Sequence, residues 1–178
     1  MLTALTIIGH ELAHYLTAAA VGAQDLSLHW ADVTFLEDSI GNLATAAIWA
    51  AGPLFNHVII LWALLSRSSH VAVLALGLGA CSRHIVILPF TIKSLAGQDV
   101  STFTNDEVTV ASALSISATP LGVLTVTLGV TGLVIVLMRA FRAQGIAGAL
   151  ALFVGCIAGI ALWSFVGPVL LPGGKGLD

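Results

Sequence analysis

The chain has 178 residues, of which 58% are hydrophobic and 8% are charged, and its formal net charge is -3. Ordinary soluble domains are roughly 45–50% apolar and about 25% charged. This composition, with a mean hydropathy of +1.04, therefore predicts a multi-pass integral membrane protein whose surroundings are the lipid bilayer. Lysine and arginine form no cluster, which argues against nucleic acid as a partner. Cys81 and Cys156 lack the spacing of a zinc site or a disulfide framework.

Five apolar segments have lengths near the roughly 20 residues that span a bilayer. They cover residues 2–22, 41–65, 71–92, 119–138 and 145–171. The acidic stretch after the first segment, residues 23–40, contains Leu26, Leu28 and Trp30 at alternate positions. That period of two predicts a short strand or hairpin at the membrane interface. We therefore expect an all-α membrane protein with about five transmembrane helices and a strand-like loop after the first.

Polar residues of the first two segments follow helical spacing. Those of the first recur at steps of three or four residues and include Thr3, Thr6, His10, His14 and Thr17. The second segment repeats the pattern with Asn42, Thr45, Trp49, Gly52 and Asn56. Because the hydrocarbon layer offers no water to polar groups, each stripe is expected to face other helices or a wet cavity. The two helices are thus predicted to pack against each other.

The sequence His10-Glu11-Leu-Ala-His14 is an H-E-x-x-H motif. On a helix, positions i and i+4 place both imidazoles on one face, where they can bind one zinc ion. The glutamate next to the first histidine can then reach a water bound to that ion. The zinc lowers the pKa of a bound water, and Glu11 is expected to accept its proton as general base. Hydrogen bonding across a helix bundle is the alternative, but ionisable residues at membrane depth are costly and usually functional.

A catalytic zinc takes three protein ligands, so a third is expected elsewhere in the chain. Asp106 is the first candidate and Asp99 the second. The segment around Asp106 resembles a helix start, with Thr104 and Glu107 forming a capping box or Asn105 capping directly. Asp106 could then simply favour the positive helix end, and Asp99 could be an ordinary turn residue.

Longer motifs resemble those of the site-2 protease family of intramembrane zinc metalloproteases. The sequence "HELAHYLTAAAVG" fits H-E-x-x-H-x-x-x-A-x-x-x-G, with Ala18 and Gly22 at its last two fixed positions, and "AAGPLFN" fits A-G-P-x-x-N. The resemblance covers about residues 1–107 and implies a three-helix catalytic core. It also implies cleavage of membrane-spanning peptides and a strand-forming loop that pairs with an extended substrate. The chain departs from the family in lacking an asparagine before Pro89 and an Asp-Gly pair.

Residues 1–118 are accordingly predicted to form the metalloprotease-like core, and residues 119–178 additional transmembrane helices and a C-terminal tail. Gly52, Pro53 and Asn56 are candidates for supporting the substrate or the oxyanion, although packing and an interhelical hydrogen bond are their alternatives. Arg83 and His84 could also stabilise an oxyanion, or Arg83 could pair with an acid.

The first hypothesis is a zinc-dependent intramembrane endopeptidase that uses Glu11 as general base on a zinc-bound water and acts on a transmembrane protein or peptide. The alternative is a catalytically inactive membrane protein that keeps the fold as a binding or chaperone module. A metal transporter is a third possibility, although only one cluster of metal-ligating residues is visible.

Overall fold

The computed structural model describes residues 2–66, 68–100 and 103–172, so the end of the predicted C-terminal tail lies outside the described residues. Most of the described chain is helical, with one small β-hairpin after the first helix, as predicted. The helices are α1 (Leu2–Ala20), α2 (Asn42–Leu65), α3 (Val71–Val86), α4 (Leu88–Leu95), α5 (Asp106–Leu114) and α6 (Thr119–Leu170). The strands are β1 (Gln24–Leu28) and β2 (Val33–Leu36).

Helix α1 ends in a glycine turn that leads directly into the hairpin. Gly22 has φ +80°, a left-handed conformation that glycine adopts without steric cost and that commonly closes helices. The amide of Ala23 then donates to the carbonyl of Ala18 at 3.0 Å, which satisfies one of the last free carbonyls of the helix. Gly22, the last fixed position of the longer motif, therefore closes helix α1 in this chain.

The two strands pair antiparallel, with Ser27 opposite Thr34 and a bulge between Gln24 and Ser27. The predicted alternation extended to Trp30, but this residue lies in the connecting turn. Its carbonyl accepts a hydrogen bond of 3.0 Å from the indole of Trp163, which ties the hairpin to α6.

The third predicted segment contains a break that hydropathy could not show. Helix α3 ends at Val86, and α4 starts at Leu88 after Ile87, whose ψ of 1° is not helical. Pro89 explains the break, because its ring clashes with the preceding turn and it has no amide hydrogen to donate.

The last two predicted segments are joined in α6, which is interrupted at Gly145 with φ +71° and ψ -179°. Residues on both sides of this glycine pack in one cluster around Leu74 and Leu78 of α3, namely Val136, Ala140 and Cys156. The chain therefore turns back at Gly145, and the first arm (119–144) and second arm (146–170) lie side by side.

Three helical stretches are long and apolar enough to cross a membrane: Asn42–Leu65, Val71–Leu95 and Thr119–Leu170. Helix α1 does not qualify, because His10, Glu11 and His14 lower the hydropathy of its 19 residues. Large apolar side chains cover much of the outer surface, and Leu65, for example, is 81% exposed. Such a surface suits lipid better than water.

Candidate metal centre

The structure brings His10, His14 and Asp106 together in one buried group. Nε2 of His10 lies 3.0 Å from Nε2 of His14 and 2.9 Å from Oδ2 of Asp106. Nε2 of His14 and Oδ2 of Asp106 are 3.6 Å apart. The three ligand atoms all lie within 4.8 Å of one another, the arrangement needed to hold one metal ion. Asp99, the second candidate from the sequence, is exposed and is not part of this group.

The dimensions of this group fit a tetrahedral ion. Zinc binds histidine nitrogen and carboxylate oxygen at about 2.0–2.2 Å, which places tetrahedral ligand atoms roughly 3.3–3.6 Å apart. The separations of 2.9, 3.0 and 3.6 Å are close to that range. Two imidazoles and one carboxylate are also a donor set that zinc accepts. His10, His14 and Asp106 can therefore bind a metal ion.

Helix α2 carries the groups that orient both imidazoles. Nδ1 of His14 donates to the carbonyl of Ile48 at 2.6 Å, which leaves Nε2 with its lone pair facing the group. Nδ1 of His10 lies 2.9 Å from the amide nitrogen of Asn56, and no group in the described part of the chain donates to the Asn56 amide oxygen. Rotating this amide by 180° would let the oxygen accept from Nδ1 and free Nε2 of His10 for a metal.

Gly52 lets α2 approach this closely. A Cβ atom built at this position would overlap Nε2 of both His10 and His14. Glycine is therefore needed here for space. Pro53 and Asn56, one and four residues further along the same helix, line the cavity beside the centre.

We expect Gly52→Ala to lower both metal content and thermal stability, because the methyl group must displace the two imidazoles or separate α1 from α2. Overpacking of this kind typically costs about 1–3 kcal/mol of unfolding free energy. Zinc content and melting temperature of the purified protein in detergent measure the two effects.

Gly155→Ala is the matched control for this change, since a Cβ at Gly155 meets open space. It should leave both quantities unchanged or raise stability slightly through better helix propensity. Equal behaviour of the two variants would contradict the close approach of α2 to the histidines.

Helix α5 carries the third candidate ligand in its first turn. The side-chain oxygen of Asn105 accepts from the amide of Val108 at 2.9 Å, so Asn105 is the N-cap, one of the two alternatives left by the sequence. Burial favours the neutral form of Asp106, but its contacts with His10 and His14 and the charge of Arg83 hold its pKa well below its usual range. Asp106 is therefore a carboxylate, the form that binds metals.

Glu11 lies beside this group and is only 3% exposed. No donor in the described ranges bonds to its Oε1 atom, and the nearest cation is Arg83, whose Nη2 atom is 3.9 Å away. Glu11 lines a cavity of about 490 Å³ together with His10 and Asp106. A buried carboxylate oxygen without a hydrogen-bond donor is costly, so Glu11 is a candidate functional group at this cavity.

The β-hairpin lies at the same cavity. Asp32 and Glu37, which lie just before and just after β2, are among the lining residues. Aromatic rings connect the hairpin to the metal group, since Trp49 is 6.1 Å from Phe35 and 5.2 Å from the His14 ring between centroids. The loop predicted to form a strand is thus adjacent to the candidate centre.

Arg83 is the main departure from a simple metal centre. Its Nη2 atom lies 3.0 Å from Nε2 of His10 and 3.4 Å from Oδ2 of Asp106. Of the alternatives from the sequence, pairing with an acid is therefore present in the structure. His84 is buried, lines the cavity, and has no partner for Nε2 in the described part of the chain.

Two groups that lie at the site were not predicted from the sequence. The role of the Ile48 carbonyl could not be predicted from the sequence, because every residue carries the same backbone group. Glu107 was interpreted as part of a capping box, but it is buried at the cavity, and this burial and the charge of Asp106 raise the pKa of its carboxyl. Its position directly after a candidate ligand was the available signal.

Comparison with models of protein families, with curated proteins and with solved structures found no match to this chain. The resemblance to the site-2 protease family therefore rests on the two short motifs. The structure itself supports a coarser statement, that a buried His10, His14 and Asp106 group can bind a metal ion in a chain with three candidate membrane-spanning helices.

Proposed function

We propose that this chain is a zinc-dependent intramembrane endopeptidase of the site-2 protease type that cleaves membrane-spanning proteins or peptides. The observation that carries the proposal is the Oε1 atom of Glu11, which receives no hydrogen bond in the described part of the chain and is buried at a cavity beside three residues that can hold a metal. Neither feature alone would indicate peptide hydrolysis, but a buried base beside a metal centre is what this reaction requires.

The residues of the site have separate roles in the proposed reaction. His10, His14 and Asp106 would hold a zinc ion, which when bound would supply Lewis-acid activation of water and of the peptide carbonyl. Glu11 accepts a proton at its carboxylate as the water oxygen bonds to the carbonyl carbon. It then delivers that proton to the leaving amine nitrogen as the carbon–nitrogen bond breaks. Ile48 and Asn56 keep the imidazoles oriented throughout.

The hairpin provides a way to hold the substrate. A two-stranded sheet leaves an unpaired edge on each strand, and this hairpin borders the cavity. An extended peptide can add to such an edge through main-chain hydrogen bonds, which bind independently of most side chains. In this proposal α1, α2, the α3–α4 stretch and the two arms of α6 make five membrane crossings, and the substrate unwinds from the bilayer to reach the cavity.

Metal removal tests the proposal. The purified protein in liposomes is expected to contain about one zinc per chain and to cleave some members of a panel of single-span peptides, with fragments identified by mass spectrometry. Treatment with a zinc chelator should abolish cleavage, and added Zn²⁺ should restore it. Cleavage that continues after complete zinc removal would contradict the proposal.

A non-catalytic binding or chaperone protein is the second candidate, and the position of Arg83 favours it. A guanidinium in contact with His10 and Asp106 can neutralise this buried carboxylate without any metal. Such a protein would bind the single-span peptides, hold no zinc and release no fragments. The zinc content measured above separates the two candidates.

A further inference from the structure

The guanidinium of Arg83 contacts two of the three candidate metal ligands. Its Nη2 atom is 3.0 Å from Nε2 of His10 and 3.4 Å from Oδ2 of Asp106, and it belongs to α3, whereas these partners come from α1 and α5. We propose that Arg83 competes with the metal for this centre, so that metal binding must displace its side chain. The proposal rests on the proposed metal site.

The competition follows from the chemistry of the shared nitrogen. Arginine has only donors, so its 3.0 Å contact with Nε2 of His10 belongs to the tautomer that carries the proton on Nδ1, and it uses the lone pair on Nε2. A metal ion bonds to histidine through the same lone pair. Nε2 of His10 therefore serves either Arg83 or a metal, but not both at once.

The positive charge of Arg83 also weakens metal binding. A guanidinium stays protonated under all ordinary conditions, and its positive charge repels a divalent cation at close range. The single negative charge of Asp106 cannot offset the three positive charges of a divalent ion and Arg83 together. A centre that keeps Arg83 in place thus binds metal more weakly than the same ligands would without it.

The surroundings allow the arginine to move. Its side chain is 41% exposed, unlike the buried His10 and Asp106, and it lines the cavity of about 490 Å³. The cavity wall also carries carboxylates that can receive the displaced guanidinium, namely Glu11, Asp32, Glu37 and Glu107. Metal binding would therefore move the guanidinium to the cavity wall, where a peptide carbonyl or a developing oxyanion could also accept from it.

Zinc affinity of the purified protein, measured in detergent by competition with a chromophoric chelator, tests the inference. Arg83→Gln is expected to bind zinc about tenfold more tightly than the parent, which is the effect of losing one charge-assisted hydrogen bond to the ligands. Arg83→Lys should show a smaller gain, since lysine keeps the charge but cannot span both partners in the same way. Arg142 is an exposed arginine in α6, so Arg142→Gln should leave the zinc affinity unchanged.

The opposite result is equally well defined. If Arg83 instead supports the centre by orienting Asp106, Arg83→Gln will bind zinc more weakly, and the inference is overturned. Unchanged affinity in Arg83→Gln also overturns it, while zinc binding by the parent would leave the proposed function intact. If neither the parent nor any Arg83 variant binds zinc, both proposals fail. Should Arg83→Gln not fold, the comparison of Arg83→Lys with the parent decides the sign.

Discussion

Replacement of Glu11 by glutamine is expected to lower peptide cleavage by roughly 10²- to 10⁴-fold, the usual contribution of a general base. Glutamine has nearly the same shape as glutamate, so it fits a position that is only 3% exposed. Its amide cannot accept the proton of the attacking water, however. Because Glu11 is not one of the three candidate metal ligands, zinc content should remain close to that of the parent.

Cleavage of single-span peptides in liposomes gives the rate, and zinc analysis of the same sample checks the centre. Glu107→Gln is the matched control, because Glu107 is another buried glutamate at the cavity that lies outside the metal group. This control should retain most of the activity. If Glu11→Gln cleaves as fast as the parent, Glu11 is not the base and the proposed mechanism is wrong.

The second large effect is expected at the third ligand. Asp106→Asn should weaken zinc binding by at least about 100-fold, since even the loss of a group that only orients a ligand typically costs 10- to 100-fold. An amide oxygen carries no charge and is a poorer zinc ligand than a carboxylate. The substitution also removes the closer of the two carboxylates that pair with Arg83, so the melting temperature should fall as well.

Asp99→Asn is the control that separates the two aspartates considered from the sequence. Asp99 is exposed and lies outside the metal group, so this variant should keep both its zinc and its activity. Zinc content after dialysis against metal-free buffer measures the difference. Loss of zinc in Asp99→Asn with retention in Asp106→Asn would reverse the assignment and contradict the observed geometry.

Local signals in the sequence were enough for much of the fold. Apolar segments of bilayer length predicted the principal helices, and alternation between Leu26 and Leu28 predicted the strand after the first helix. The i and i+4 spacing of His10 and His14 requires their imidazoles to share a face once the segment is helical. These features depend on neighbouring residues only, which is why they could be predicted.

Breaks inside the apolar segments were harder to predict. Apolar residues lie on both sides of Ile87, and Pro89 marks the end of α3. The chain reversal at Gly145 depends on a left-handed glycine, whereas most other glycines of α6 keep helical geometry. A glycine in a membrane segment is compatible with either conformation, so packing decides between them.

The sequence by itself determined that the chain is apolar enough for a membrane, that two imidazoles and a carboxylate share one helix, and that two polar helix faces need partners. Only the tertiary structure placed Asp106 rather than Asp99 beside the two histidines, because 96 residues separate Asp106 from His10 and their contact depends on how α5 docks. It likewise placed Arg83 of α3 against the same imidazole. Local spacing fixes which side chains share a helix face, but the packing of separate helices fixes which ligands meet.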